Sequence, residues 1–411
     1  MTLAKKIFIG MLVGYFFGII AGPVIVPYLK PVGDIFVRLI FMLAAPLIFF
    51  SITSGVAGMK DISTFGRIGG KIFRLYLLTT AIAALLGLGL ASIIKPGAGF
   101  VMDAAASPVE REIPSIVQSI VEMVPRNPFA ALSDMNLVQI IVFSIFLGVS
   151  LILMGEKGET IRDFFQKMVD TLTILTGVVM QTAPIGVFAL MATTGASYGF
   201  AVLAPLAKFF ATEYLAMILQ FVIVYSVIVS VLAKVNPLQF FRKIIPVIVM
   251  TLSTVSSAAT LPVSMKVSED ELGVPKEISG FTLPLGATVN MDGAALNIPI
   301  SILFSAQIFG LELTAAHIFT LIFSAIIMSA GAAGVPGGAI IFILMILEQF
   351  GLPTEAFALI IAVYRIIDMG LTCINVCGDL ACTTAVAASE GMLDRSKWES
   401  PVDVGKRSVN A

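Results

Sequence analysis

Three aspartates, Asp292, Asp368 and Asp379, lie inside apolar stretches of the sequence. A carboxylate at membrane depth costs at least about 2.5 to 3.5 kcal/mol on insertion scales, so each needs a chemical reason to be there. On one helix, Asp368, Thr372, Asn375 and Asp379 fall at i, i+4, i+7 and i+11, a single polar stripe that must face protein or a cavity. In the run Asn290-Met291-Asp292-Gly293, two oxygen-bearing side chains and a glycine interrupt an apolar segment, and an unwound turn there frees backbone carbonyls as further ligands. Carboxylate, amide, hydroxyl and carbonyl oxygens suit hard cations. The single histidine, His317, has no partner for a transition-metal set, so the expected cation is Na⁺ or H⁺.

The composition says what kind of body must position these groups. Of 411 residues, 58% are hydrophobic and 12% charged, with a mean hydropathy of +1.02, whereas soluble domains run near one quarter charged. This is a membrane composition. The 25 basic and 26 acidic side chains leave no positive excess for a nucleic-acid partner. The start of the chain is basic through Lys6, but the apolar run 7–26 is too long for the core of a signal peptide, so it reads as a first span. Cys373, Cys377 and Cys382 share one apolar stretch; a disulfide at i, i+4 on a helix would be strained, so they read as free thiols.

Apolar runs of about 20 residues predict spans near 7–26, 35–56, 72–94, 137–154, 168–193 and 209–232. The second half differs, because Ser, Thr, Gly and Pro clusters interrupt its apolar segments. Short apolar pieces within 240–267 flank the cluster 253–262, and those within 318–352 flank the cluster 329–338. Each pair reads as two half-length helices whose tip re-enters the membrane, or else as helices with a kink. Unpaired backbone at that depth is tolerated where it lines a protein-buried or watery cavity, and broken segments at corresponding places in two repeats point to a transport site. Basic residues from Lys5 to Arg407 cluster on one side if both broken segments return to the side they entered from. That side is then cytoplasmic, with both termini inside.

The motifs at 44–55 (AAPLIFFSITSG), 183–190 (APIGVFAL), 281–297 (FTLPLGATVNMDGAALN), 333–338 (AGVPGG) and 368–379 (DMGLTCINVCGD), with 76–80, 95–99 and 256–263, span nearly the whole chain. On these residues the sequence resembles the dicarboxylate/amino acid:cation symporter family, which includes glutamate transporters, archaeal aspartate-transporting homologues and neutral amino acid exchangers. The resemblance implies an all-α membrane protein of eight transmembrane helices and two re-entrant hairpins, built on inverted repeats, in which a homotrimeric scaffold holds transport domains that move like elevators. The implied division is scaffold helices 1 and 2 (1–69), transport-domain helix 3 (70–94), an extracellular loop (95–126), scaffold helices 4 and 5 (127–193) and transport-domain helix 6 (194–238). The first hairpin (239–272), helix 7 with the NMDG break (273–310), the second hairpin (311–352), helix 8 (353–392) and a cytoplasmic tail (393–411) complete it.

The same resemblance implies two or three sodium ions and no organic cofactor. One sodium site resembles Gly286, Asn290, Asn375 and Asp379; a second, the carbonyls of Thr288, Met291, Ser329, Ala330 and Ala332; a third, Tyr76, Thr79, Thr80, Asn290 and Asp292. The amino acid's carboxylate would meet Ser256, Ser257 and Asn375, and its ammonium Asp368, helped by Thr372 and the second tip near Val335. Departures from the family pattern bear on the substrate. Leu371 stands where acidic amino acid carriers have an arginine, Ala294 where they have a threonine, Tyr364 where the arginine's aspartate partner sits, and Val255 where some relatives move the arginine. A carboxylate facing Leu371 and Ala294 would be buried without a donor, so a neutral side chain is expected. Arg365, at i−3 from Asp368, argues the other way, because its guanidinium could reach an acidic substrate from a new direction or simply pair with Asp368.

Two other classes fit less well. An intramembrane aspartyl protease needs paired carboxylates sharing a proton, but Asp368 and Asp379 are three turns apart on one helix, so the chain is not expected to be an enzyme. A passive pore needs no ammonium clamp such as Asp368. The reading is a sodium-coupled amino acid transporter of the prokaryotic inner membrane, in contact with lipid and with a small-molecule substrate. Sodium- or proton-coupled transport of glutamate, aspartate or a dicarboxylate through Arg365 is the alternative.

Overall fold

The computed structural model describes residues 3–58, 66–100, 121, 124–134, 137–329, 338–353 and 355–399, and every regular element among them is helical. Helix α1 (Leu3–Ala21) stops at Gly22, whose φ of 67° glycine alone adopts at little cost. A tight turn at Pro23–Ile25 leads into α2 (Val26–Ala57), and the axis turns by 112° between Lys6–Ala21 and Pro23–Ile40. Helices α3 (Gly66–Ile94), α4 (Pro128–Ser133), α5 (Leu137–Leu153), α6 (Glu159–Gln181) and α7 (Ala183–Tyr198) follow.

The span expected at 168–193 is therefore not one helix: it straddles the end of α6 and the start of α7. Pro184 is the reason, since a proline has no N–H to give back to the preceding turn and its ring crowds that turn. Thr182 closes the break, its hydroxyl donating to the Val179 carbonyl at 2.7 Å. Helix α8 begins at Leu203, earlier than expected, and runs as Leu203–Leu219 into wide π turns at Gln220–Val224 and Ile228–Leu232.

Small residues let helices touch backbone to backbone. On α1, a Cβ added to Gly10, Gly14 or Gly18 would lie 2.6, 2.4 or 2.0 Å from the carbonyl oxygens of Pro184, Phe188 and Ala192 of α7. This four-residue spacing is the close-packing pattern of membrane helices. Large apolar side chains turn outward elsewhere: Ile20 is 85% exposed, Ile93 79% and Leu153 82%. Among the described residues, Arg67–Ile94, Ala183–Leu232, Lys276–Ile308 and Ala356–Ser389 are each long and apolar enough to cross a bilayer, and the bent first pair adds a fifth. An outside this apolar requires hydrocarbon around it, and the chain is a multi-pass membrane protein.

After the short α9 (Pro237–Lys243), the first interrupted segment forms α10 (Ile245–Thr254) and α11 (Ser257–Asp270). Their 10 and 14 residues give roughly 15 and 21 Å of helix, too short for a bilayer core of about 30 Å. Val255 makes the reversal in a left-handed conformation (φ 52°, ψ 39°), and Ser256 caps α11 by accepting from the Ala259 N–H at 3.2 Å. The second interrupted segment forms α14 (Ala315–Ser329) and α15 (Gly338–Gln349), again too short to span; its connecting tip, with Ala330, Ala332 and Val335, lies outside the described residues.

Between them, α12 (Lys276–Val289) and α13 (Asp292–Ile308) are separated by an unwound Asn290–Met291. Helix α16 (Glu355–Ser389) carries the aspartate stripe over 35 unbroken residues. Buried α13 packs against α3, where a Cβ on Gly87 would come within 2.2 Å of the Leu296 carbonyl oxygen, and against α8 and α16. At the ends of α3 and α16, Arg67 and Lys71 each reach the Glu390 carboxylate at 2.5 Å; chiefly Lys71, then Arg67, holds that carboxyl below the usual carboxylate range.

Candidate cation and substrate site

The break between α12 and α13 turns Asn290 and Asp292 toward α3, and both are fully buried. The Asp292 Oδ1 accepts from the hydroxyls of Thr79 at 3.0 Å and Thr80 at 2.9 Å. Thr79 Oγ1 is also 3.2 Å from Asn290 Oδ1 and 3.0 Å from the Tyr76 carbonyl. One hydroxyl proton cannot serve three acceptors. The cluster thus converges more oxygen lone pairs than protons, which is the electrostatic setting of a hard cation.

Across the same asparagine, the Asn290 amide donates to Asp379 Oδ1 at 2.9 Å, which ties α12 to α16. Gly286 completes this corner: a Cβ there would fall 2.4 Å from Asp379 Oδ1 and 2.7 Å from the Tyr76 hydroxyl. Asp379 is 3% exposed, and among the described residues no lysine or arginine pairs with it or with Asp292. Gly286→Ala is therefore expected to distort this corner rather than the helix. Overpacking costs about 1 to 3 kcal/mol. The sodium concentration needed for half-maximal thermal stabilisation should rise about tenfold or more, and an unchanged sodium response would remove Gly286 from the site.

Two residues at this cluster were not picked out from the sequence. The Tyr225 hydroxyl lies 2.8 Å from Asp292 Oδ2 and 2.9 Å from the Ile374 carbonyl, and the Gln220 amide donates to Oδ2 at 3.3 Å. Both belong to the π-turned end of α8, whose widened turns re-aim side chains off the plain helical stripe. The available signal was a polar Gln and Tyr inside an apolar span.

The second proposed set is not joined by direct bonds among the described residues. Thr288 is exposed, its hydroxyl bonded to the Leu285 carbonyl, while Ser329 is buried with its hydroxyl on the Ile326 carbonyl. Met291 instead meets α16, where the Asn375 amide points at its sulfur at 3.2 Å.

On the polar stripe of α16, Asn375 Oδ1 accepts from the Gly293 N–H at 2.7 Å, locking α13 to α16 beside Leu371, whose carbonyl would be 2.4 Å from a Cβ on Gly293. Leu371 and Ala294 are each 2% exposed. Asp368 is buried on the same stripe, and an Arg365 guanidinium nitrogen lies 3.7 Å from its Oδ2. Thr372 turns its hydroxyl back to the Asp368 carbonyl at 2.8 Å. At the first tip, Ser256 caps α11 and Ser257 is buried with its hydroxyl unpartnered. The three cysteines are free thiols, as the spacing predicts.

The family model for the sodium:dicarboxylate symporter family matches residues 3–389. The chain is 32% identical over 420 aligned residues to the proton/sodium-glutamate symport protein of Bacillus subtilis (strain 168), covering 100% of this chain and 97% of the relative. It is 32% identical to the C4-dicarboxylate transport protein of the same organism, over 100% of both chains. It is 34% identical to the proton/glutamate-aspartate symporter of Escherichia coli (strain K12), over 91% of this chain and 88% of the relative. These names are of carriers for acidic substrates and lend no support to the neutral substrate expected from Leu371 and Ala294. With a match over almost its whole length, the chain belongs to the sodium:dicarboxylate symporter family, a family of cation-coupled transporters and not of enzymes.

Proposed function

We propose that the chain is a sodium-coupled amino acid transporter, with cation sites at Asp379 (with Gly286, Asn290 and Asn375), at Asp292 (with Tyr76, Thr79, Thr80 and Asn290) and at the backbone around Thr288, Met291 and Ser329. The observation that carries it is the pair of buried aspartates, Asp292 and Asp379, with no cationic side chain among the described residues to balance them. A buried carboxylate left ionised and uncompensated costs several kcal/mol, and a co-transported cation supplies the compensation. The two short-helix pairs act as re-entrant hairpins that close over Asp368, Ser256, Ser257 and Asn375. Eight spans in inverted repeats, a homotrimer, elevator movement and cytoplasmic termini belong to the same proposal, as does the division into a scaffold (1–69 and 127–193) and a transport domain.

For the substrate's side chain, two readings each have an observation. The apolar, buried side chains of Leu371 and Ala294 favour a neutral amino acid. The glutamate and dicarboxylate carriers among its relatives, together with Arg365 beside Asp368, favour an acidic one. Thermal stability of the purified protein against twenty amino acids and C4-dicarboxylates, with and without Na⁺, separates them. Binding at 100 Kd stabilises by about 2.7 kcal/mol, which is easily read. Stabilisation by no carboxylate solute in sodium would sink the transporter reading.

A further inference from the structure

A further buried carboxyl lies in the helical body away from the aspartates. Glu213 on α8 is fully buried, and its Oε1 accepts from the Asn297 amide of α13 at 2.7 Å. Its Oε2 has no hydrogen-bond partner, nor has Asn297 Oδ1, nor the hydroxyl of Ser301 one turn further along α13. Buried polar atoms are nearly always partnered, so three orphans on two facing helices call for an account. Two of them, Glu213 Oε2 and Asn297 Oδ1, are acceptors when the carboxyl is ionised. The site is short of one donor proton.

Among the described residues no cationic side chain pairs with Glu213. The charged and titratable side chains on the helices packed against α8 are Arg67, Lys71, Arg74 and Tyr76 on α3, Asp292 on α13, and Glu355, Tyr364, Arg365, Asp368 and Asp379 with the thiols on α16, beside Lys208 and Tyr214 on α8 itself. None bonds to it or forms an ion pair with it, and burial and the Asn297 amide are what act on its carboxyl. Between Glu213 and Asp368 stands Tyr364 of α16. Its hydroxyl feels the charges of Asp368 first and then Glu213, and the residue lines a narrow cleft with Arg365 and Asp368 opposite Phe36 and Val187.

We propose that Glu213 is a binding site for one exchangeable proton, reached from that cleft past the Tyr364 hydroxyl. Protonation forms one O–H bond at Oε2, turning carboxylate to carboxylic acid, with the proton drawn from water in the cleft and returned to it on release. The Asn297 amide stays on Oε1 in both states. As a proton site this stands on geometry alone; as a coupling ion it rests on the transporter reading, with the proton moving in addition to the cations at Asp292 and Asp379.

The test has two arms. In purified protein, infrared difference spectra between about pH 5 and pH 9, the range open to buried carboxyls, should show a carboxylic-acid carbonyl band that titrates. The Glu213 component, read as the wild-type minus Glu213→Gln difference in saturating sodium, should be present and should survive in Asp368→Asn. In proteoliposomes driven by a sodium gradient, wild-type uptake should fall by up to about tenfold per unit as the pH on the loading side rises past the midpoint. Glu213→Gln should make uptake independent of pH, and Glu213→Asp, which keeps an ionisable group, should restore the dependence. A band that does not titrate, a band undiminished in Glu213→Gln, or an unchanged pH profile in that variant overturns the proposal. If the band behaves as expected but wild type moves no labelled amino acid, the proton site stands and the transporter reading fails.

Discussion

Asp379→Asn is expected to abolish sodium dependence while leaving the fold intact. The asparagine matches the aspartate in shape, and its Oδ1 can still accept from the Asn290 amide now 2.9 Å away, so the α12–α16 contact survives. What disappears is the negative charge. Removing one member of a buried ionic pair costs about 3 to 5 kcal/mol. At 1.4 kcal/mol per decade, sodium affinity at this corner should fall by roughly 10² to 10³-fold or more. Without sodium the sign reverses: the variant no longer buries an uncompensated carboxylate, so the sodium-free protein should be at least as stable as wild type. The measurement is the melting temperature of both proteins across a sodium titration. Equal sodium-induced stabilisation in the two, or sodium-dependent uptake retained by the variant, would refute the assignment of Asp379.

How far the sequence shows this site depends on whether position carries a period. Asp368, Thr372, Asn375 and Asp379 were legible because one long helix repeats every 3.6 residues, and α16 runs unbroken through all four. The Asn290–Met291 break was legible because polar groups and glycine interrupt an apolar run, and the reversal at Val255 because a Ser/Thr cluster divides two short apolar pieces. Tyr225 and Gln220 were missed because a π turn has no signature in residue spacing. Glu213 had a signal, an acid inside an apolar span, but its meaning depends on Asn297 lying opposite it, a long-range contact that no local pattern encodes. The apolar stretch 168–193 is divided by Pro184, whose effect on the backbone an apolar count does not carry. Substrate class is least legible: the residues around Leu371 argue one way, and relatives sharing about a third of their positions are named for the other.

That conflict has its own decisive experiment, Leu371→Arg combined with Tyr364→Asp. Leu371 is 2% exposed, and an arginine alone would be a buried cation whose nearest acid on the stripe, Asp368, already has Arg365 beside it. Tyr364 lies two turns earlier on α16, the face from which an aspartate could hold the new guanidinium. The double variant thereby gains a planar, pre-oriented donor for a substrate carboxylate. Hydrogen bonds to charged groups contribute about 1.5 to 3 kcal/mol each, so preference for aspartate or glutamate over a neutral amino acid should rise by roughly 10 to 200-fold in kcat/KM. If the wild-type pocket already selects acidic substrates, the gain will be absent, and Arg365→Leu should then lose the same amount. The two variants therefore move in opposite directions under the two readings, because only one guanidinium, the native one at 365 or the introduced one at 371, can be the group that meets the substrate's carboxylate.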